Sequence, residues 1–195
     1  MTGQLALKLL IIAVPILGVG LWVGVTTGRF FGAFLRGAAA AVVLAGVLLA
    51  LRLVGLPRLW EALPLPAAVL RRAPDILTVL LEEAAKLGAV LLLLPRRRER
   101  GDAHSGHRRL GAALGLGFAS VEHLLFLGAS IPGMLLRVAG AGTIHTLSGA
   151  LYVATGDERG SAPGRRRLVT LVLVTVAHLT YNLVLQGLDR NLTIW

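Results

Sequence analysis

Ionisable side chains interrupt four stretches that are each long and oily enough to cross a bilayer. They are Glu82-Glu83-Ala84-Ala85-Lys86, Phe118-Ala119-Ser120-Val121-Glu122-His123, the segment holding His145, and His178-Leu179-Thr180-Tyr181-Asn182. A charged side chain at mid-bilayer costs about 2.5–3.5 kcal/mol on insertion scales, so such residues mark pathways, relays or reaction centres. This pattern admits few folds. Backbone polar groups in hydrocarbon must be satisfied within the segment, which leaves helices for spans of this length.

Roughly 20 apolar residues span the hydrocarbon core. Six segments qualify, at about 5–25, 37–56, 74–94, 110–130, 134–154 and 168–188. The expected fold is therefore all-α, a polytopic membrane helix bundle of about six transmembrane helices. Pro57, Pro64, Pro66, Pro95, Pro132-Gly133 and Pro163-Gly164 punctuate the connections. Residues 59–70 are apolar but short and proline-rich, and read as interfacial or re-entrant. The first segment is longer than a signal-peptide core and lacks a small-x-small cleavage site, so it reads as a helix. The chain reads as one membrane domain, 1–195. Residues 74–188 form a four-helix catalytic core, and residues 1–73 supply two N-terminal helices and the interfacial piece.

Composition supports this class. Hydrophobic residues make up 55% of the 195, more than an ordinary soluble domain carries. With no cysteine, thiolate nucleophiles, disulfides and cysteine metal sites are excluded. The net charge of +10 comes from arginines crowded between oily segments. It reads as topology and lipid-headgroup contact rather than nucleic-acid binding. Arg29 and Arg36, then Arg96, Arg97, Arg98, Arg100, Arg108 and Arg109, then Arg159, Arg165, Arg166 and Arg167 fall after the first, third and fifth segments. The opposite side has fewer, so those three loops are expected in the cytoplasm. Trp22, Trp60 and Trp195 suit an interfacial aromatic belt. His104 and His107, in an arginine-rich stretch, read as solvated loop residues.

With that orientation the polar residues share a depth. Glu82 and Glu83 lie about 8–9 residues from the outer side, Glu122 about 8, His145 about 11 and His178 about 10, roughly 12–17 Å at 1.5 Å per residue. Glu82 and Lys86, at i and i+4, are expected to pair. Glu83 projects about 100° away and is expected to be the unpaired carboxylate, free to act as a base. His123 reads as a positioning or packing histidine. Gly115 and Gly117 before Glu122, and Gly140, Gly142 and Gly149 around His145, favour close helix packing. Neutral imidazoles and a carboxylate also suit zinc, assembled here from separate helices because no His-Glu-x-x-His motif is present.

The ordered set Glu82-Glu83-x-x-Lys86, Gly117-Phe118-x-x-x-Glu122, His145 and His178-x-x-x-Asn182 resembles the PrsW family of intramembrane proteases. The likeness covers about 75–185. It extends more distantly to CAAX prenyl proteases and bacteriocin-processing proteins. The resemblance implies peptide-bond hydrolysis in or near the membrane, on a membrane-protein or peptide substrate such as an anti-sigma factor. It implies that Glu82, Glu83, Glu122, His145 and His178 carry the chemistry, supported by Lys86, Asn182 and His123. Glu122, His145 and His178 would hold zinc, or position the water without it. His123 stands where the family usually has asparagine. A proton- or ion-coupled transporter, a CAAX-type endopeptidase and an inactive scaffold are the competing readings.

Overall fold

The computed structural model describes residues 2–23, 28–55, 64, 66–93, 104–157 and 163–192. Among them are six helices: α1 Thr2–Val23, α2 Gly28–Leu53, α3 Ala67–Leu93, α4 His104–Leu125, α5 Ile131–Asp157 and α6 Pro163–Leu192. All-helical architecture is thus observed. Three helices are apolar and long enough to cross a membrane: Gly3–Trp22, Gly28–Leu53 and Gly164–Leu188, with mean hydropathy of 2.3, 2.2 and 2.0. α3, α4 and α5 fall short on that measure. The same helices carry Glu82, Glu83, Lys86, Glu122, Arg137 and His145, and polar residues turned inward dilute a helix's hydropathy without changing its outer face.

Several boundaries differ from the sequence reading. Residues 66–70 lead into α3 and form its first turn, so the expected interfacial segment is helix at its end, while 59–63 lie outside the described residues. α4 begins at His104 rather than near 110, because nothing in His-Ser-Gly-His-Arg-Arg forbids helix. His107 is consequently buried, not a solvated loop residue. Trp60, Trp195 and the arginine run at 96–100 lie outside the described residues.

α4 is the centre of the bundle. Residues 110–119 are continuously buried, and the helix packs against α5 and α2, with α1 also against it. Its small residues are what permit this. A Cβ on Gly111 would run into the Gly149 carbonyl of α5, and one on Gly115 into the His145 carbonyl. Without lipid-excluding hydrophobic force between helices, such close backbone approach supplies the packing energy. α3 and α6 close the other side, α3 touching α2, α5 and α6. Gly55, at φ 79°, ends α2 in the left-handed conformation that glycine adopts freely. Ser130 Oγ accepts from Gly133 N at 3.1 Å and caps α5. Lys8 Nζ donates to the Leu127 carbonyl at 3.0 Å, pinning α1 to the turn after α4.

Candidate active site

The middle turns of α3, α5 and α6 and the last turns of α4 bring the predicted residues together. Glu82, Glu83 and Lys86 come from α3, Glu122 from α4, His145 from α5 and His178 from α6, all of them buried. Their hydrogen bonds form one chain. His145 Nε2 meets Glu122 Oε2, and His145 Nδ1 lies 2.5 Å from Lys86 Nζ. Lys86 in turn donates to Glu83 Oε1 at 2.5 Å. His178 Nδ1 lies 2.8 Å from the same Glu83 oxygen, and the Tyr152 hydroxyl donates to Glu83 Oε2 at 2.9 Å. Rings back the network: His145 and His178 meet edge to face at 4.8 Å, Phe118 tilts against His145 at 5.3 Å, and Lys86 Nζ lies 5.2 Å from the Phe118 centroid.

Two expectations about the glutamates are reversed. Lys86 pairs with Glu83 at i+3, not with Glu82 at i+4. On a helix both neighbours lie within reach of Lys86, and contacts from other helices decide between them. His178 and Tyr152 both turn Glu83 inward, and its side chain is 0% exposed. Glu83 is therefore fully engaged, while Glu82 Oε2 is buried with no hydrogen-bond partner. Across from it, 3.6 Å away, His178 Nε2 is equally buried and equally without a hydrogen bond.

The donor atoms of Glu82, His145 and His178 all lie within 4.8 Å of one another. That is the group able to hold a metal ion among the described residues, with Glu82 where the sequence reading placed Glu122. Glu122 instead grips His145 from the far side. The donor set suits zinc chemistry: each imidazole has one nitrogen held by a carboxylate, His178 Nδ1 by Glu83 and His145 Nε2 by Glu122. Carboxylates placed this way fix the ring orientation of metal-binding histidines. His145 Nδ1 faces the Lys86 ammonium.

Asn182 lies one turn beyond His178, its Oδ1 buried and without a partner. His123, though buried, points away from this cluster and lines a separate cavity. Two residues escaped the sequence reading. Tyr152 is two turns after His145 on the same face of α5, a spacing that would have revealed it. Arg137 sits seven residues into α5, stacked on Phe126 at 3.7 Å and 3.9 Å from Glu122 Oε1. Its charge inside an apolar segment was the available signal.

A family model described as PrsW family intramembrane metalloprotease matches residues 26–192, most of the chain. The chain belongs to the PrsW family. Searches of curated proteins and of solved structures return no match. Family membership makes this a membrane-embedded peptidase whose substrates are membrane proteins or peptides within the bilayer. It also makes a bound metal a natural complement to the Glu82–His145–His178 group. α1 lies entirely outside the matched region.

Proposed function

We propose that the chain hydrolyses a peptide bond in or beside the membrane segment of a single-pass protein, of the anti-sigma-factor type, with Glu82 as the proton acceptor. The carrying observation is the facing pair Glu82 Oε2 and His178 Nε2, both buried, both without hydrogen bonds, 3.6 Å apart. Buried polar atoms are almost always satisfied, and exceptions cluster where a ligand or reacting group belongs. His145 and His178 are the residues that would hold zinc, with the Glu82 carboxylate beside them left free to take the proton. When bound, zinc supplies Lewis acidity toward a carbonyl and lowers the pKa of a water.

The remaining steps belong to the side chains. Glu82 takes a proton from water as its oxygen attacks the scissile carbonyl carbon, and returns it to the departing amide nitrogen as the C–N bond breaks. Glu83, clamped by Lys86 and Tyr152, holds His178 so that Nε2 faces the reaction. Glu122 does the same for His145. Asn182 offers its amide to the developing oxyanion. The proposal includes six spanning helices, with the loops after α1, α3 and α5 in the cytoplasm and α3–α6 as the catalytic core.

The test is reconstitution in proteoliposomes with a fluorogenic single-pass transmembrane reporter, beside metal analysis of the purified protein. Wild-type protein should cleave, Glu82→Gln should not, and chelation should remove both the metal and the activity, restored by zinc. Cleavage by the Glu82→Gln variant at wild-type rate overturns the assignment.

A further inference from the structure

Among the described residues, six buried side-chain nitrogen or oxygen atoms have no hydrogen bond. Five of them belong to α3 and α6: Glu82 Oε2, Arg167 Nε, Thr175 Oγ1, His178 Nε2 and Asn182 Oδ1. At about 100° per residue, Thr175, His178 and Asn182 fall within an arc of about 60° on α6. It is the face turned to α3, since His178 lies against Glu83. Thr175 is the odd member. Thr143, Thr146, Thr155 and Thr180 each donate to the carbonyl four residues back, the usual refuge of a hydroxyl in a helix. Thr175 makes no such bond, and the hydrolysis as described gives it no task.

The junction of α3 with α6 is also built differently from the rest of the bundle. α4 is locked to α5 through Gly111 and Gly115, and to α2 through Gly37 and Gly117, where a Cβ would strike a facing carbonyl. Gly88 of α3 and Gly187 of α6 have open space around them. Side chains join this pair instead. Leu171 packs on the Ala89–Val90 cluster at one end, His178 meets Glu83 in the middle, and at the other end Arg72 Nη1 donates to Gln186 Oε1 at 2.8 Å in an exposed bond. Pro74 follows two residues after Arg72 inside α3 and lacks the N–H that would tie the preceding turn. The seam therefore has an apolar end and a weakly tied end. Exposed Ile76 and Leu80 on α3 and exposed Val176 and Val184 on α6 put apolar surface on the outer side of both helices. Thr175 and Asn182 are about 10 Å apart along α6, the length of three residues of extended chain at about 3.3 Å each. A helical segment has its N–H and C=O groups already occupied, whereas an extended one offers them to Thr175 and Asn182 and bares a carbonyl to attack.

We infer that the α3/α6 seam parts from its Arg72 end to receive the substrate as an extended segment, with Thr175 Oγ1 and Asn182 Oδ1 hydrogen-bonding its main chain on either side of the reacting bond. This rests on Glu82 as the proton acceptor and adds where the substrate enters and what holds it. The full-length protein in proteoliposomes with the transmembrane reporter tests it. The chain has no cysteine, so Arg72→Cys with Gln186→Cys supplies the two thiols for a reducible bifunctional cross-linker. Linking should abolish cleavage and reduction should restore it, while the same linker joining Lys8→Cys to Leu127→Cys, away from the seam, should leave cleavage unchanged. Thr175→Val keeps the shape and removes the hydroxyl. It should raise KM, as mole fraction of reporter in the bilayer, about 3–10-fold, the worth of one hydrogen bond, with kcat changed less. A main-chain contact predicts the same factor for reporters with different side chains flanking the cleaved bond. Thr175→Ser should restore KM, and Thr175→Val should melt no earlier than the wild type because the lost hydroxyl had no partner. Cleavage by the linked protein at the unlinked rate, an unchanged KM in Thr175→Val, or a rise confined to one reporter sequence would overturn the inference. With Glu82→Gln still inactive, each of those results leaves the assignment of Glu82 standing.

Discussion

Glu82 and Glu83 are adjacent and both buried, yet the structure assigns them opposite sensitivities. Glu83 accepts from Lys86, lies against His178 Nδ1 and accepts from Tyr152. Neutralising it as Glu83→Gln leaves the Lys86 ammonium, 0% exposed, without its counter-charge. Removing one partner of a buried ion pair costs about 3–5 kcal/mol, because the other charge stays buried and uncompensated. Glu82→Gln removes no hydrogen bond from Oε2, since that atom has none, and should shift stability by less than about 1 kcal/mol. Loss of a proton acceptor should nonetheless lower its turnover about 10²–10⁴-fold. The assay is equilibrium unfolding in mixed detergent micelles, run beside cleavage of the transmembrane reporter. Removing both charges, as Glu83→Gln with Lys86→Met, should recover most of the stability lost in Glu83→Gln alone, a coupling that a double-mutant cycle measures directly. Equal destabilisation by Glu82→Gln and Glu83→Gln, or a double variant no more stable than the single one, would refute this division of labour.

Tyr152→Phe keeps the ring and removes one interhelical hydrogen bond, so unfolding should register a loss of about 0.6–1.7 kcal/mol, with turnover reduced far less than in Glu82→Gln. Gly115→Ala places a methyl against the His145 carbonyl of α5. Helix separation should cost about 1–3 kcal/mol and reduce cleavage, whereas Gly88→Ala, with open space around it, should gain up to about 1 kcal/mol from helix propensity. Arg137→Gln should lower cleavage about 10–100-fold through Glu122 and His145, the usual range for groups that orient a metal-binding histidine. Arg137→Lys should restore it only in part, because an ammonium cannot stack its plane on Phe126.

What the sequence made legible and what it hid follow from the same physics. Intramembrane ionisable residues are costly enough that their positions alone single them out, and the structure places Glu82, Glu83, Lys86, Glu122, His145 and His178 in one buried cluster. Helical architecture was legible because backbone satisfaction in hydrocarbon leaves little choice. Pairing was not. Lys86 can reach either glutamate through helix geometry alone, and the choice was made by His178 and Tyr152, which lie 95 and 69 residues away in the chain. The same long-range contacts decided which carboxylate joins the histidines. Glu122 matched Glu82 in depth, but depth does not fix azimuth, and α4 presents Glu122 to the outer side of His145. Azimuth comes from the glycine contacts that set how closely α4 meets α5. A reading that uses depth can therefore find which residues gather into one buried cluster. The assignment of base, ligand and support requires the packing of small residues that carry no chemistry themselves.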